Sequence, residues 1–159
     1  SIAEDAWDSI CDWGPTAMLP IFNILGNDYK TKNIISHIDT EGHDQFTKIT
    51  FLYDHAVASA TVAKGVKSEG ELIISGTKGY IYVPAPWWKT DYFEIRYEDT
   101  SQNKRYFYQL DGEGIRYELV AFTRAIESGR NLAYVDSNVS NKICKVIGDF
   151  YAKIDCTTI

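Results

Sequence analysis

No apolar run approaches the roughly 20 residues a helix needs to cross a bilayer, and no secretory leader can be recognised, so neither a membrane partner nor export is expected. Cysteine and histidine are scarce, at three each. Cys11, Cys144 and Cys156 are odd in number and show no CxxC spacing, and His37, His43 and His55 are not spaced as ligands. Such usage predicts a reducing, cytoplasmic setting and no structural metal. Several chemical signatures are missing too: G-x-G-x-x-G opening a helix after a strand, a P-loop, G-x-S-x-G, and a catalytic Cys/His pattern. This chain alone is therefore expected neither to bind a dinucleotide in the usual way nor to turn over as an oxidoreductase. Basic residues are absent from residues 1–29, which hold Glu4, Asp5, Asp8, Asp12 and Asp28. With a net charge of -6 and no basic face, a general nucleic-acid partner is not expected. The plainer reading of the acidic start is a solvated face; an acidic docking surface is the alternative.

What is present fits one globular domain. The 159 residues are 45% hydrophobic and 24% charged, ample for a full core. Ala3 to Ile10 reads as a short helix or turn. Pro15 to Leu25 reads as a helix, with Ala17, Met18, Ile21, Phe22 and Leu25 at three- and four-residue spacing and Gly26 as its stop. Between Lys30 and Leu110 the period becomes two. Strands are expected over Asn33 to Asp39, Gln45 to Tyr53, Val57 to Ala63, Glu71 to Ser75, Tyr80 to Val83, Tyr92 to Glu98 and Lys104 to Leu110. Turns fall at Asp54-His55, Gly76 to Gly79 and Asp99 to Asn103. Helical period then returns, with one stripe at Ile115, Leu119, Phe122 and Ile126 and another at Val139, Ile143, Val146, Ile147, Phe150 and Ile154, the second capped by Asp136. Short connections without intervening helices imply an α+β fold: a large, mostly antiparallel sheet with helices on one face and the other face available for pairing.

That open face is expected to be apolar. Tyr80 and Tyr82 lie on one side of their strand, Ile81 and Val83 on the other, and Tyr92, Phe93, Tyr97, Tyr106, Phe107 and Tyr108 add aromatic area. Helices on one side cannot bury both faces, so a homodimer through the open face is expected. Amphipathic tyrosines that simply keep their hydroxyls in water are the alternative.

Four segments occur in an informative order: Cys11-Asp12-Trp13-Gly14, Ile73-Ile74-Ser75-Gly76-Thr77-Lys78-Gly79, Pro84-Ala85-Pro86-Trp87-Trp88, and the stretch from Gly114 to Arg130. Together they span nearly the whole chain, which resembles the C-terminal α/β domain of the Gfo/Idh/MocA oxidoreductases. The resemblance implies a single domain over residues 1–159 for substrate binding and dimerisation, taken from a longer polypeptide. The N-terminal nucleotide-binding domain would be absent from this chain. NAD or NADP would be carried mainly by that domain, and the substrate would be a sugar, cyclitol or related polyol.

The resemblance also implies a site. In the family, a lysine from the nucleotide domain acts with the Asp and His of D-x-G-x-H to move a proton as hydride passes to or from the nicotinamide. Here Asp12 matches the acid and Thr16 stands where the histidine is expected. A threonine hydroxyl does not titrate near neutral pH as imidazole does, so Thr16 is fitted to orient a hydroxyl or water rather than to act as a general base. Pro20 has no N–H for the Thr16 carbonyl. Either the helix runs through with that acceptor freed for a sugar hydroxyl, or Pro20 opens a second short helix.

Arg116 and Tyr117 begin the segment that often faces the cleft in this family. Arg116 is suited to hold a phosphate or carboxylate, with a surface ion pair to Glu113 as the plainer role. Trp88 and Lys89 are cleft candidates for stacking on and contacting a sugar, although adjacent Trp87 and Trp88 more often fill a gap between sheet and loop. Lys64, Lys67 and Lys78 read as solvated. Because Thr16 replaces the histidine, a second reading is a non-catalytic binding or dimerisation module of a multidomain protein, attached for example to a cytidylyltransferase-like domain. A third is an unrelated carbohydrate-binding α+β domain.

Overall fold

The computed structural model describes residues 8–109, 112, 114–130 and 135–159. Glu4 and Asp5 of the acidic start, and Leu110 at the end of the last expected strand, lie outside them. The described residues gather into two compact units, one of residues 8–67 with 135–159 and one within 68–130. The class is α+β with antiparallel pairing, as the period-two stretch predicts, but the strands divide into two four-stranded sheets. The polar, glycine-containing run Lys64 to Gly70 separates them, with no alternating apolar pattern to extend either ladder.

In the first unit, helix α1 (Ser9–Leu25) leads into strands β1 (Thr31–Ile38), β2 (Asp44–Leu52) and β3 (Val57–Ala63). Helix α3 (Ser137–Tyr151) and the short strand β8 (Cys156–Thr158) close the unit. The sheet order is β3-β2-β1-β8, and β8 runs parallel to β1. Period-two strands put alternate residues on one face: Ile34 faces Ile49, which faces Ala60, and Ser36 faces Thr47, which faces Val62. Of these, Ile34, Ile49, Ala60 and Val62 meet Ile10, Met18, Ile21 and Phe22 of α1 and Val139, Ile143, Val146 and Phe150 of α3 in one buried core. Phe22, Tyr29 and Phe51 form an aromatic cluster within it, with Phe22 edge-on to Phe51 at 5.2 Å. Asp136 caps α3 as expected, its carboxylate accepting from Asn138 N at 3.0 Å.

Helix α1 begins well before Pro15 and runs unbroken through Pro15 and Pro20. Pro20 therefore does not open a second helix. The extra turns are fixed by tertiary contacts that local periodicity does not display. Ile10 N donates to the Asp44 carboxylate of β2 at 3.2 Å and Ser9 Oγ donates to Asp44 O at 2.7 Å, while Cys11 N and Asp12 N close the first helical turn onto Asp8 O. Strand β8 also went unexpected, because three residues after a turn with Lys153 and Asp155 at positive φ are too few to show a period.

In the second unit, strands β4 (Leu72–Ser75), β5 (Gly79–Val83), β6 (Tyr92–Tyr97) and β7 (Lys104–Phe107) form an antiparallel meander. The turn at Gly76 to Gly79 closes through Gly76 N to Gly79 O at 2.9 Å. A helical turn at Trp87–Lys89 links β5 to β6, and helix α2 (Ile115–Ser128) lies between two left-handed glycines, Gly114 and Gly129. Among the described residues of this unit none is fully buried. One face of its sheet carries Ile73, Tyr80, Tyr82, Tyr92, Glu94, Arg96 and Phe107; the other carries Ile74, Ile81, Ile95, Phe93 and Tyr106.

Candidate functional site

The six expected site residues fall as three neighbouring pairs on three elements. In the first unit, Asp12 sits in the opening turn of α1 and Thr16 one turn further on. Positions four apart share a helix face, so the two side chains rise from the same side of α1. Asp12 Oδ2 pairs with Lys64 Nζ at 2.5 Å. Lys64 follows β3 directly, and sequence reasoning had left it as a solvated charge.

Beneath this pair lies a buried polar network that the sequence did not announce. Ser9 Oγ donates to Asp44 O at 2.7 Å and accepts from Lys64 N at 3.0 Å. The Asp44 carboxylate accepts from Ile10 N and from Thr47 Oγ1 at 2.6 Å. Burial pushes Asp44 above the usual carboxylate range, with the nearby Asp8 charge adding to the rise, against the lowering effect of the bonds it accepts. Asp8, itself buried, accepts from Asp44 N at 3.1 Å and from the Tyr151 hydroxyl at 2.6 Å, and lies 3.4 Å from His43 Nδ1. Burial and the bonds to Asp8 and Cys11 push the Tyr151 hydroxyl well above its ordinary value, so it is a fixed donor at neutral pH. Serine, aspartate, threonine and tyrosine at these spacings match no local motif, and only the tertiary fold assembles them.

In the second unit, Trp88 and Lys89 lie on the turn Trp87–Lys89. The Trp87 and Trp88 rings meet at right angles with centroids 6.0 Å apart. A Cβ placed on Gly70 would lie 3.3 Å from the Trp88 ring, so Trp88 packs over Gly70 while remaining half-exposed. Lys89 borders an open cleft of about 530 Å³ with Pro84, Pro86, Asp91, Tyr92 and Gln109. Arg116 and Tyr117 open α2, the guanidinium carbon 5.7 Å from the Tyr117 ring centroid. Glu113, the ion-pair partner weighed for Arg116, lies outside the described residues. On the sheet, Glu94 accepts from Arg96 Nε at 2.6 Å and from Arg105 Nε at 2.8 Å. Those bonds, the one from Arg105 first, hold its carboxyl below the usual range.

Among the described residues, no group of three or more His, Cys, Asp or Glu is arranged to hold a metal ion, and no helix is long and apolar enough to cross a membrane.

These features define an α+β domain with a carboxylate presented at a helix start. Compared with known proteins, the sequence matches no family model and no curated protein; the likenesses are to solved structures. The chain is similar to KijD10, a 3-ketoreductase from Actinomadura kijaniata solved with NADP and TDP-benzene, with a TM-score of 0.80 at 12% identity, over 96% of this chain and 47% of that one. It is also similar to an aldose-aldose oxidoreductase from Caulobacter crescentus complexed with glycerol, with a TM-score of 0.72 at 16% identity, over 92% of this chain and 45% of that one. The chain thus spans about half the length of the structures it matches.

Proposed function

We propose that this chain is the substrate-binding and oligomerisation domain of an NAD(P)-dependent oxidoreductase of the Gfo/Idh/MocA type, acting on a sugar, cyclitol or related polyol. The observation that carries the reading is the placement of Asp12 in the first turn of α1, ion-paired with Lys64, within a fold shared with NADP-bound and glycerol-bound oxidoreductases. A carboxylate at that point is chemically suited to accept a hydrogen bond from a substrate hydroxyl and to hold its proton as hydride leaves the same carbon. Thr16, on the same helix face, orients that hydroxyl. Arg116, Tyr117, Trp88 and Lys89 are assigned to the substrate, and the nicotinamide to a domain beyond this chain. Three cysteines with no disulfide among them accord with a cytoplasmic setting.

Thr16 favours one competing reading. With no imidazole at that position, the domain is a binding or dimerisation module whose parent performs other chemistry. The two separate in the full-length protein assayed with aldopentoses and aldohexoses and NAD or NADP. The oxidoreductase reading expects sugar-dependent change in nicotinamide absorbance at 340 nm, an absorbance band that belongs to the reduced cofactor. A full-length protein that binds neither dinucleotide would contradict it and leave the module.

A further inference from the structure

The Lys64–Asp12 pair differs from an ordinary surface ion pair in how its two backbones are held. Exposed pairs contribute little because two long side chains, and often two mobile backbones, must be ordered to bring them together. Here both backbones are tied to the same buried residues. Ser9, fully buried, accepts the Lys64 amide at 3.0 Å and lies three residues before Asp12 on α1. Its hydroxyl donates to Asp44 O, and the Asp44 carboxylate takes the next amide of the helix, that of Ile10.

The Lys64 N–H is shared with Gln45 O at 3.1 Å, and Gly65 N donates to the same carbonyl at 3.0 Å. A Cβ on Gly65 would lie 2.8 Å from Gln45 Cβ, so the glycine lets the strand end approach β2 this closely. Two chain segments far apart in sequence are therefore set in register by one seryl hydroxyl before either charged side chain is considered.

We propose that Lys64 is a positioning residue for Asp12: its ammonium engages Oδ2 and so turns Oδ1 toward a substrate hydroxyl. The proposal rests on the reading of Asp12 given above. Lys64 touches no reacting atom and moves no proton. It fixes the direction of the carboxylate, and misplacement of a catalytic group by about 1 Å can cost on the order of 100-fold in rate.

The test uses the full-length protein, with aldopentoses and aldohexoses and NADP as probes. Variants K64M, K64R and D12N are compared by kcat, KM and melting temperature. The expected result is a kcat for K64M lowered by about 10-fold or more, with KM and melting temperature near those of the parent, and substantial recovery of kcat in K64R. A pair that only stabilises the fold would move the melting temperature and leave kcat at saturating sugar unchanged. K64M at parental kcat while D12N is inactive overturns the role of Lys64 alone. D12N at parental kcat overturns the reading of Asp12, and the role of Lys64 with it. Should K64M not fold, K64Q deletes the same charge and is judged by the same criteria.

Discussion

Lys32 is a buried charge held by two partners: its side chain is 4% exposed and lies 2.9 Å from Asp149 and 2.8 Å from Asp155. Burial alone would lower its pKa, but the bonds to Asp155 and Asp149 outweigh that and raise it. Leaving a buried charge without a partner costs about 3 kcal/mol or more; because Asp155 stays on Lys32, Asp149→Ala should lose stability in urea unfolding at pH 7 by less than that. The pH dependence follows from the direction of each shift. Burial pushes Asp149 up, yet Lys32 and Lys145 hold it below its ordinary value. Its stabilising contribution is thus present above the unfolded-state value of about 4 and fades as pH falls through the lower folded-state value. Asp44 is shifted the other way, so its contribution to stability declines as pH rises from that same unfolded value through the folded one. Urea titrations from pH 6 to pH 3 should show the parent losing more stability on acidification than Asp149→Ala, and equal losses would contradict this assignment. Little of this was legible beforehand. The first strand was expected only from Asn33, so Lys32 fell outside it, and its partners come from α3 and the turn after it.

At the scale of elements, most strands and the two later helices were legible because their periods are regular and their turns carry glycine, asparagine or aspartate. Val57 to Ala63 and the Asp136 cap stand where the sequence puts them. Helix α1 extended further than its apolar spacing indicated, since two prolines argue locally against a helix that Asp44 and Ser9 support from another strand. Gly79 shows the opposite case, a conspicuous turn residue with a hidden packing role. A Cβ there would come 2.5 Å from Arg96 O, so Gly79→Ala must separate β5 from β6. The expected cost is about 1–3 kcal/mol, read by urea unfolding together with weakened amide protection across Gly79 to Tyr97. Unchanged protection would mean the strands yield without loss.

For the whole molecule, the uneven distribution of burial is the main fact. The first unit has a complete core, whereas the second leaves apolar residues on both faces of its sheet and an α2 stripe of Ile115, Leu119, Phe122 and Ile126 that is more than 60% exposed. Exposed apolar residues are what an interaction surface would cover. If the homodimer through the open sheet face expected from the sequence forms, light scattering on the 159-residue chain should give twice the 18.0 kDa chain mass. Tyr80→Lys with Tyr82→Lys should shift it to monomer, and a parental chain that stays monomeric at high concentration would contradict the proposal. The period-two stretch between helical stretches and the ordered family segments together made the class of fold legible, but the buried network under Asp12 depends on contacts that no local pattern encodes. The central claim, that this domain supplies a catalytic carboxylate to sugar oxidoreduction, is tested most directly by turnover of the full-length protein with Asp12→Asn. The predicted result is a kcat lowered by roughly 100-fold or more with folding intact; turnover equal to the parent would contradict it.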